Sequence, residues 1–168
     1  IEVVARAANY EVVICNTEEN ADSELREVEA LRYRTDGLII ASAVPINKSE
    51  KYRRFLKEGT KIVLVDRYFK NIRCPAVTTD DVEVGRLATE HLIRQGHRRI
   101  GHLRGSDIAV AANRLEGYVQ ALTKHRLRVD ERLIRRCGFF ESDGYAAMQA
   151  WMAEGTVPSA LFAANDPI

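Results

Sequence analysis

The polar residues of this sequence that could act on another molecule occupy one recurrent kind of place, just after a short apolar run. Asn16-Thr17 follows E-V-V-I-C, Ser42 follows G-L-I-I-A, Asp66-Arg67 follows K-I-V-L-V, and Thr79-Asp80 follows A-V-T. Further on, Ser106 to Val110 follows I-G-H-L-R-G, Phe139 closes L-I-R-R-C-G-F, and Asn165-Asp166 follows S-A-L-F-A-A. Carboxylates and amides bond in fixed directions, a guanidinium donates as a planar fork, and an aromatic ring offers a plate to the apolar face of another ring. That mixture suits the reversible grip of a small polyhydroxy compound. Catalysis lacks a foothold: no G-x-S-x-G, phosphate loop or G-x-G-x-x-G occurs, and no acid–base pair or activated nucleophile is formed.

Metal and thiol chemistry are equally poorly served. His91, His97 and His102 fall on three different elements at spacings of six and five residues, with His125 later, and such spacings do not converge on a tetrahedral site. They read as structural histidines. Cys15, Cys74 and Cys137 are odd in number and widely separated, which is neither a disulfide framework nor a zinc site and suits a reducing cytoplasm. No metal and no cofactor is expected.

The apolar runs become strands once the segments between them are read. Ile1 to Asn9 has helical spacing, Glu11 to Cys15 reads as a strand, and Asp22 opens a helix through Leu25, Val28 and Leu31. Gly37 to Ala41 and Lys61 to Val65 are continuous apolar runs, the mark of strands covered on both faces. Between them, Ser49 to Gly59 is a polar helix with Tyr52, Phe55 and Leu56 inward. Ala76 to Thr79 is a short strand. Asp80-Asp81 then starts a helix that Gly96 stops, with Val84, Leu87, Ala88, His91 and Leu92 on its apolar face. Ile100 to Leu103 is a buried strand that leaves through Arg104-Gly105-Ser106-Asp107 into a helix from Ala109 to Thr123. Leu133 to Phe139 is a strand, in which Phe140 points away from Phe139. Ser142-Asp143 opens a helix facing inward through Tyr145, Met148 and Met152, and Ser159 to Ala163 is the last strand. The alternation predicts an α/β fold with a parallel, doubly wound sheet, whose ligands bind beyond the strands' carboxyl ends.

Composition sets outer bounds. With 168 residues, 46% hydrophobic and 29% charged, the chain can bury a real core. A formal net charge of +1 gives no field to attract nucleic acid or an anionic membrane. No apolar run approaches the roughly 20 residues of a membrane span.

Three residues stand out on these grounds alone. Arg114 lies one turn into the helix after the Gly105 loop, where its fork can meet a pair of hydroxyls or a carboxylate. A surface arginine paired with Glu116 or another carboxylate is the alternative. Asn165 ends a buried strand, where an amide has no packing reason to be, unless it caps a helix beyond that strand. Asp66 ends V-L-V, and a carboxylate there needs partners, whether a ligand or a salt bridge to Arg67 or Arg73.

H-L-I-x-x-G-H-R-R-I from His91 to Ile100, a strand, Gly105-Ser106, R-L-x-G-Y from Arg114 to Tyr118 and the A-N-D element at Asn165-Asp166 occur in one order. Together they resemble the effector-binding core of the lactose-repressor/galactose-repressor family of bacterial transcription regulators, over essentially the whole chain. The resemblance implies a periplasmic-binding-protein type I fold of two doubly wound parallel-sheet lobes, residues 1–79 and 80–168, with the chain crossing near Thr79 to Asp81. It implies a small-molecule effector, usually a sugar, bound between the lobes by Arg114 and Asn165, with Asp66 lining the cleft and Phe139 stacking. Thr79 and Val110 are further positional matches, Val110 being apolar where relatives often carry a hydroxyl. It implies a cytoplasmic homodimer that holds operator DNA through a helix-turn-helix headpiece upstream of Ile1. A helix without a cap at Ile1, and a family pattern that continues past Ile168, make the expectation a part of a longer regulator, incomplete at both ends. A periplasmic sugar-binding protein of a transporter shares the fold and is the alternative.

Overall fold

The computed structural model, which describes residues 1–168, holds six α-helices and six strands. The first sheet holds β1 (Leu38–Ile40), β2 (Ile62–Val65) and β3 (Ala76–Val77), parallel and in that order. Helices α1 (Glu2–Ala7), α2 (Ala21–Leu31) and α3 (Glu50–Lys57) belong to this half. The second sheet holds β4 (Ile100–Arg104), β5 (Ile134–Arg136) and β6 (Ala160–Ala163), parallel in the order β5-β4-β6. It carries α4 (Asp81–Arg94), α5 (Ala109–Lys124) and α6 (Glu141–Ala153). In this second half the chain leaves central β4 for one neighbour and later returns to the other. That reversal opens a crevice at the carboxyl end of β4.

The two sheets are covered differently. Ile100 and His102 face Tyr118 of α5, while Gly101 and Leu103 face Trp151 of α6, so the second sheet is buried on both sides. In the first sheet Leu38, Ile40, Ile62 and Leu64 pack on Val28, Tyr52 and Phe55. Ile39 and its register partner Val63 point the other way and are 55% and 38% exposed. The continuous apolar runs therefore form strands covered on one face only, because no helix packs on the other. Glu11–Cys15, for all its β-formers, is no strand: it makes no ladder hydrogen bonds, and an apolar groove of about 1170 Å³ lies between it and β1–β2.

Two helix faces also differ from the hydrophobic pattern. On α4 the buried residues are Asp81, Gly85, Thr89, Glu90 and Ile93, leaving Leu87 47% exposed and His91 exposed. The cause is a crossing with α5 in which backbones touch. A Cβ at Gly85 would stand 2.2 Å from the Arg114 carbonyl oxygen, and one at Gly117 2.0 Å from that of Val82. Small residues thus select the face, and the tight crossing brings Arg114 over the first turn of α4. On α6 the inward residues are Gly144, Ala147 and Trp151, while Tyr145 and Met152 are 67% and 64% exposed. Asn20, not Asp22, caps α2, its side chain accepting from the Ser23 N–H at 2.9 Å.

His102 at the centre of β4 is wholly buried between the rings of Tyr118 and Phe162, with centroids 5.2 and 4.6 Å away. Its Nδ1–H donates to the Phe162 carbonyl at 2.9 Å, and Nε2 has no partner. Burial pushes its pKa down to about 4, against the pull of that carbonyl. The unfolded chain therefore binds the proton first, and stability is lost as pH falls from about 6.5 toward 4. We expect the loss to reach roughly 2–3 kcal/mol. Across that window the urea midpoint of the wild type should fall relative to that of His102→Phe. Parallel curves would mean that His102 does not titrate with unfolding.

Candidate functional site

Strand carboxyl ends from both sheets meet around a cavity of about 300 Å³, at the small end of the range for ligand pockets. The first sheet supplies Asp66 and Arg67, which follow β2, and the loop before α2 supplies Glu19. From the second come Gly105, Ile108, Val110, Ala111 and Arg114 after β4, Phe139 and Phe140 after β5, and Ala164 and Asn165 after β6. Three contacts close the two halves around it. The Ile46 N–H donates to the Asp107 carbonyl at 3.0 Å, the Asn113 side-chain amide donates to the Tyr68 hydroxyl at 3.2 Å, and the Arg67 guanidinium lies 5.2 Å from the Phe139 ring centroid.

Each anticipated residue has a definite place. Arg114 lines the cavity and donates through Nε to Asp81 at 2.9 Å and through Nη1 to the Ala164 carbonyl, with Glu116 bonded instead to Gln120. Asp81 is 2% exposed. Burial pushes its carboxyl pKa up, and the Arg114 guanidinium opposes that rise. Asp66 adopts a left-handed backbone (φ 66°), a region asparagine and aspartate tolerate better than most, and sets its carboxylate 3.4 Å from Arg67 Nε. Asn165 lines the cavity, but its amide is engaged locally: Nδ2 donates to the Phe139 carbonyl at 3.3 Å and Oδ1 accepts from the Ile168 N–H at 3.1 Å. Its cavity position coexists with a local turn that it holds through Ile168. Phe139 and Val110 form an apolar wall with Ile108 and Ala111.

Two placements differ from the sequence reading. Thr79 does not line the cavity. β3 stops at Val77, and Thr79 lies exposed on the crossover before the Asp80 cap, its carbonyl accepting from the Asp81 N–H. Phe140 does line it alongside Phe139, because β5 ends at Arg136 and strand alternation no longer governs the pair.

Residues with no sequence signal complete the polar shell. Glu19 receives both Nη groups of Arg67, at 2.6 and 2.8 Å, and Arg67 Nη1 also donates to the Ser42 carbonyl at 3.0 Å. Ser42 belongs to a buried network: Glu24, 4% exposed, accepts from the Ser42 hydroxyl, the Ala43 N–H and the Tyr52 hydroxyl. No group of three or more His, Cys, Asp or Glu side chains is arranged to hold a metal ion.

Comparison with known proteins gives a consistent set of relatives. A family profile described as periplasmic binding proteins and sugar binding domain of the LacI family matches residues 1–168. The HTH-type transcriptional repressor PurR of Pasteurella multocida is 30% identical over 161 residues, covering 94% of this chain and 47% of the relative. The regulator GalR of Escherichia coli is 31% identical over 169 residues, covering 99% and 48%. The chain thus spans about half the length of the curated relatives it matches. Among solved structures, the Cra regulator of Pseudomonas putida bound to fructose 1-phosphate superposes with a TM-score of 0.81 at 26% identity, over 96% of this chain and 60% of that one. A complex of the regulator CelR with cellobiose gives 0.82 at 25% identity, over 96% and 50%.

Proposed function

This chain belongs to the family of periplasmic binding proteins and LacI-type sugar-binding domains, and on that premise we propose that it is the effector-binding part of a bacterial transcription repressor. The observation that carries the reading is the convergence of strand ends from both sheets on one cavity that mixes guanidinium, carboxylate, amide and aromatic groups. Arg114, Asn165, Asp66, Phe139 and Val110 then bind the effector. Residues 1–79 and 80–168 act as lobes that shift about the crossover at Thr79 to Asp81. Effector bound between them favours one lobe arrangement, and only that difference in affinity can change how a dimer holds operator DNA through a headpiece outside this sequence. No helix here is long and apolar enough to cross a membrane. A cytoplasmic regulator fits the repressor relatives better than a transporter's periplasmic receptor does.

A sugar or related metabolite is the effector this site suits, though the relatives' ligands differ in charge, cellobiose being neutral and fructose 1-phosphate anionic. A thermal-shift panel of pentoses, hexoses, their phosphates and purines tests the assignment. A binder present at about a hundred times its Kd should stabilise the fold by about 2.7 kcal/mol. Absence of any shift across the panel would refute a sugar- or purine-type effector.

A further inference from the structure

We propose that Glu19, with Asp66, makes this cavity selective for an uncharged polyhydroxy ligand over the phosphorylated form of the same compound. The inference rests on reading the cavity as an effector site and adds the charge class of the effector. Two arginines face the cavity, which at first sight invites an anion. The Arg67 fork is fully occupied, and two of the three Arg114 nitrogens are. Glu19 takes Arg67 in a bidentate pair at 2.6 and 2.8 Å, and Asp81 takes the Nε of Arg114 at 2.9 Å. The one Arg67 donor left buried without a hydrogen bond, Nε, lies 3.4 Å from the Asp66 carboxylate. The next arginine along, Arg104, donates to Asp107.

Three carboxylates therefore oppose two guanidiniums at the site. The N-terminus of α5, which has no side-chain cap and points Val110 and Ala111 at the cavity, returns only about half a positive charge. A phosphate monoester carries roughly 1.5–2 negative charges at pH 7. To bond Arg67 it must displace Glu19 and then lie beside that freed carboxylate and Asp66. A neutral hydroxyl does neither: it donates its proton to Asp66 or to a free lone pair of Glu19 and accepts from what remains of the Arg114 fork. The same two carboxylates that welcome hydroxyls repel anions.

The test measures binding by calorimetry on the intact chain, using glucose, fructose and ribose, each against its monophosphate. Where a pair binds at all, the neutral member should bind at least about tenfold more tightly, a difference of about 1.4 kcal/mol. Glu19→Gln, which frees the Arg67 fork, should shift that ratio toward the phosphate by roughly tenfold, and Asp66→Asn should shift it in the same direction by less. Asp66 has a half-exposed side chain, so its isosteric variant keeps the test available if Glu19→Gln fails to fold. Equal or tighter binding of the phosphates by the wild type would overturn the inference while leaving the effector site standing. So would an unchanged ratio in a variant that melts like the wild type. If no sugar and no phosphate binds, the polyhydroxy ligand and its charge selectivity are refuted, while the wider panel, purines included, decides separately whether the cavity is an effector site.

Discussion

Replacing Arg114 by alanine should both weaken effector binding by roughly 2–4 kcal/mol and lower stability by roughly 2–4 kcal/mol, and the two losses have separable causes. The binding loss follows from position. The guanidinium borders the cavity, is 21% exposed, and spends Nε on Asp81 and Nη1 on the Ala164 carbonyl, which holds the rest of the fork toward the ligand. The stability loss comes from Asp81, stranded at 2% exposure without its cation. Its carboxyl pKa, already pushed up by burial and held back by Arg114, rises further in the variant. A carboxyl with a raised folded pKa is destabilising when ionised, so the deficit should shrink as pH falls and grow as pH rises. Adding Asp81→Asn to Arg114→Ala removes the stranded charge and should return most of the stability without returning binding. Urea unfolding of both variants, with calorimetry using the panel sugar that binds best, separates the effects. Wild-type affinity in the single variant would remove Arg114 from the site.

Much of this arrangement is legible in the residue order, for a physical reason. Parallel strands begin and end in register, so their carboxyl ends must share one edge of the sheet, and polar residues that follow apolar runs are thereby collected. Asp66, Arg114, Phe139, Val110 and Asn165 reach the cavity by that rule. Thr79 does not, because its strand is two residues shorter than its composition suggests. Helical periodicity reads the faces of α4 and α6 only in part, since Leu92 and Met148 pack inward while Leu87, His91, Tyr145 and Met152 do not: it weighs side-chain bulk, whereas Gly85, Gly117 and Gly144 create contact by having none. Glu11–Cys15 shows that strand propensity is not strand formation without a neighbouring edge to bond. Glu19 and Asp81 carry no functional signal, since a turn and a first helical turn account for acidic residues locally. Only the tertiary pairing with Arg67 and Arg114, 48 and 33 residues away, reveals them.

The buried carboxylate of Glu24 ties the core of the first sheet to the site, and Glu24→Ala should cost roughly 3–5 kcal/mol. Three donors converge on it: the Ser42 hydroxyl, the Ala43 N–H and the Tyr52 hydroxyl. Ser42 and Tyr52 are 2% and 0% exposed, so neither can turn to water for a replacement. Glu24→Gln keeps the volume and one acceptor oxygen but sets an NH₂ group against donors, and should cost roughly 1–2 kcal/mol. Burial first, and the Glu24 charge second, push the Tyr52 phenol far above its ordinary pKa. Glu24→Ala should therefore lower that pKa only in part. The effect should also reach the cavity, because the Ser42 carbonyl holds Arg67 Nη1 at 3.0 Å and the Ser42 hydroxyl is anchored by Glu24. Arg67 then loses one of the fixed points that keep its fork on Glu19, and the preference for neutral over phosphorylated ligands should narrow. Unfolding of Glu24→Ala at the wild-type urea midpoint would show that the network adds nothing to stability. A narrowed ligand preference with Glu24→Gln, at near-wild-type stability, would show that it works by positioning Arg67.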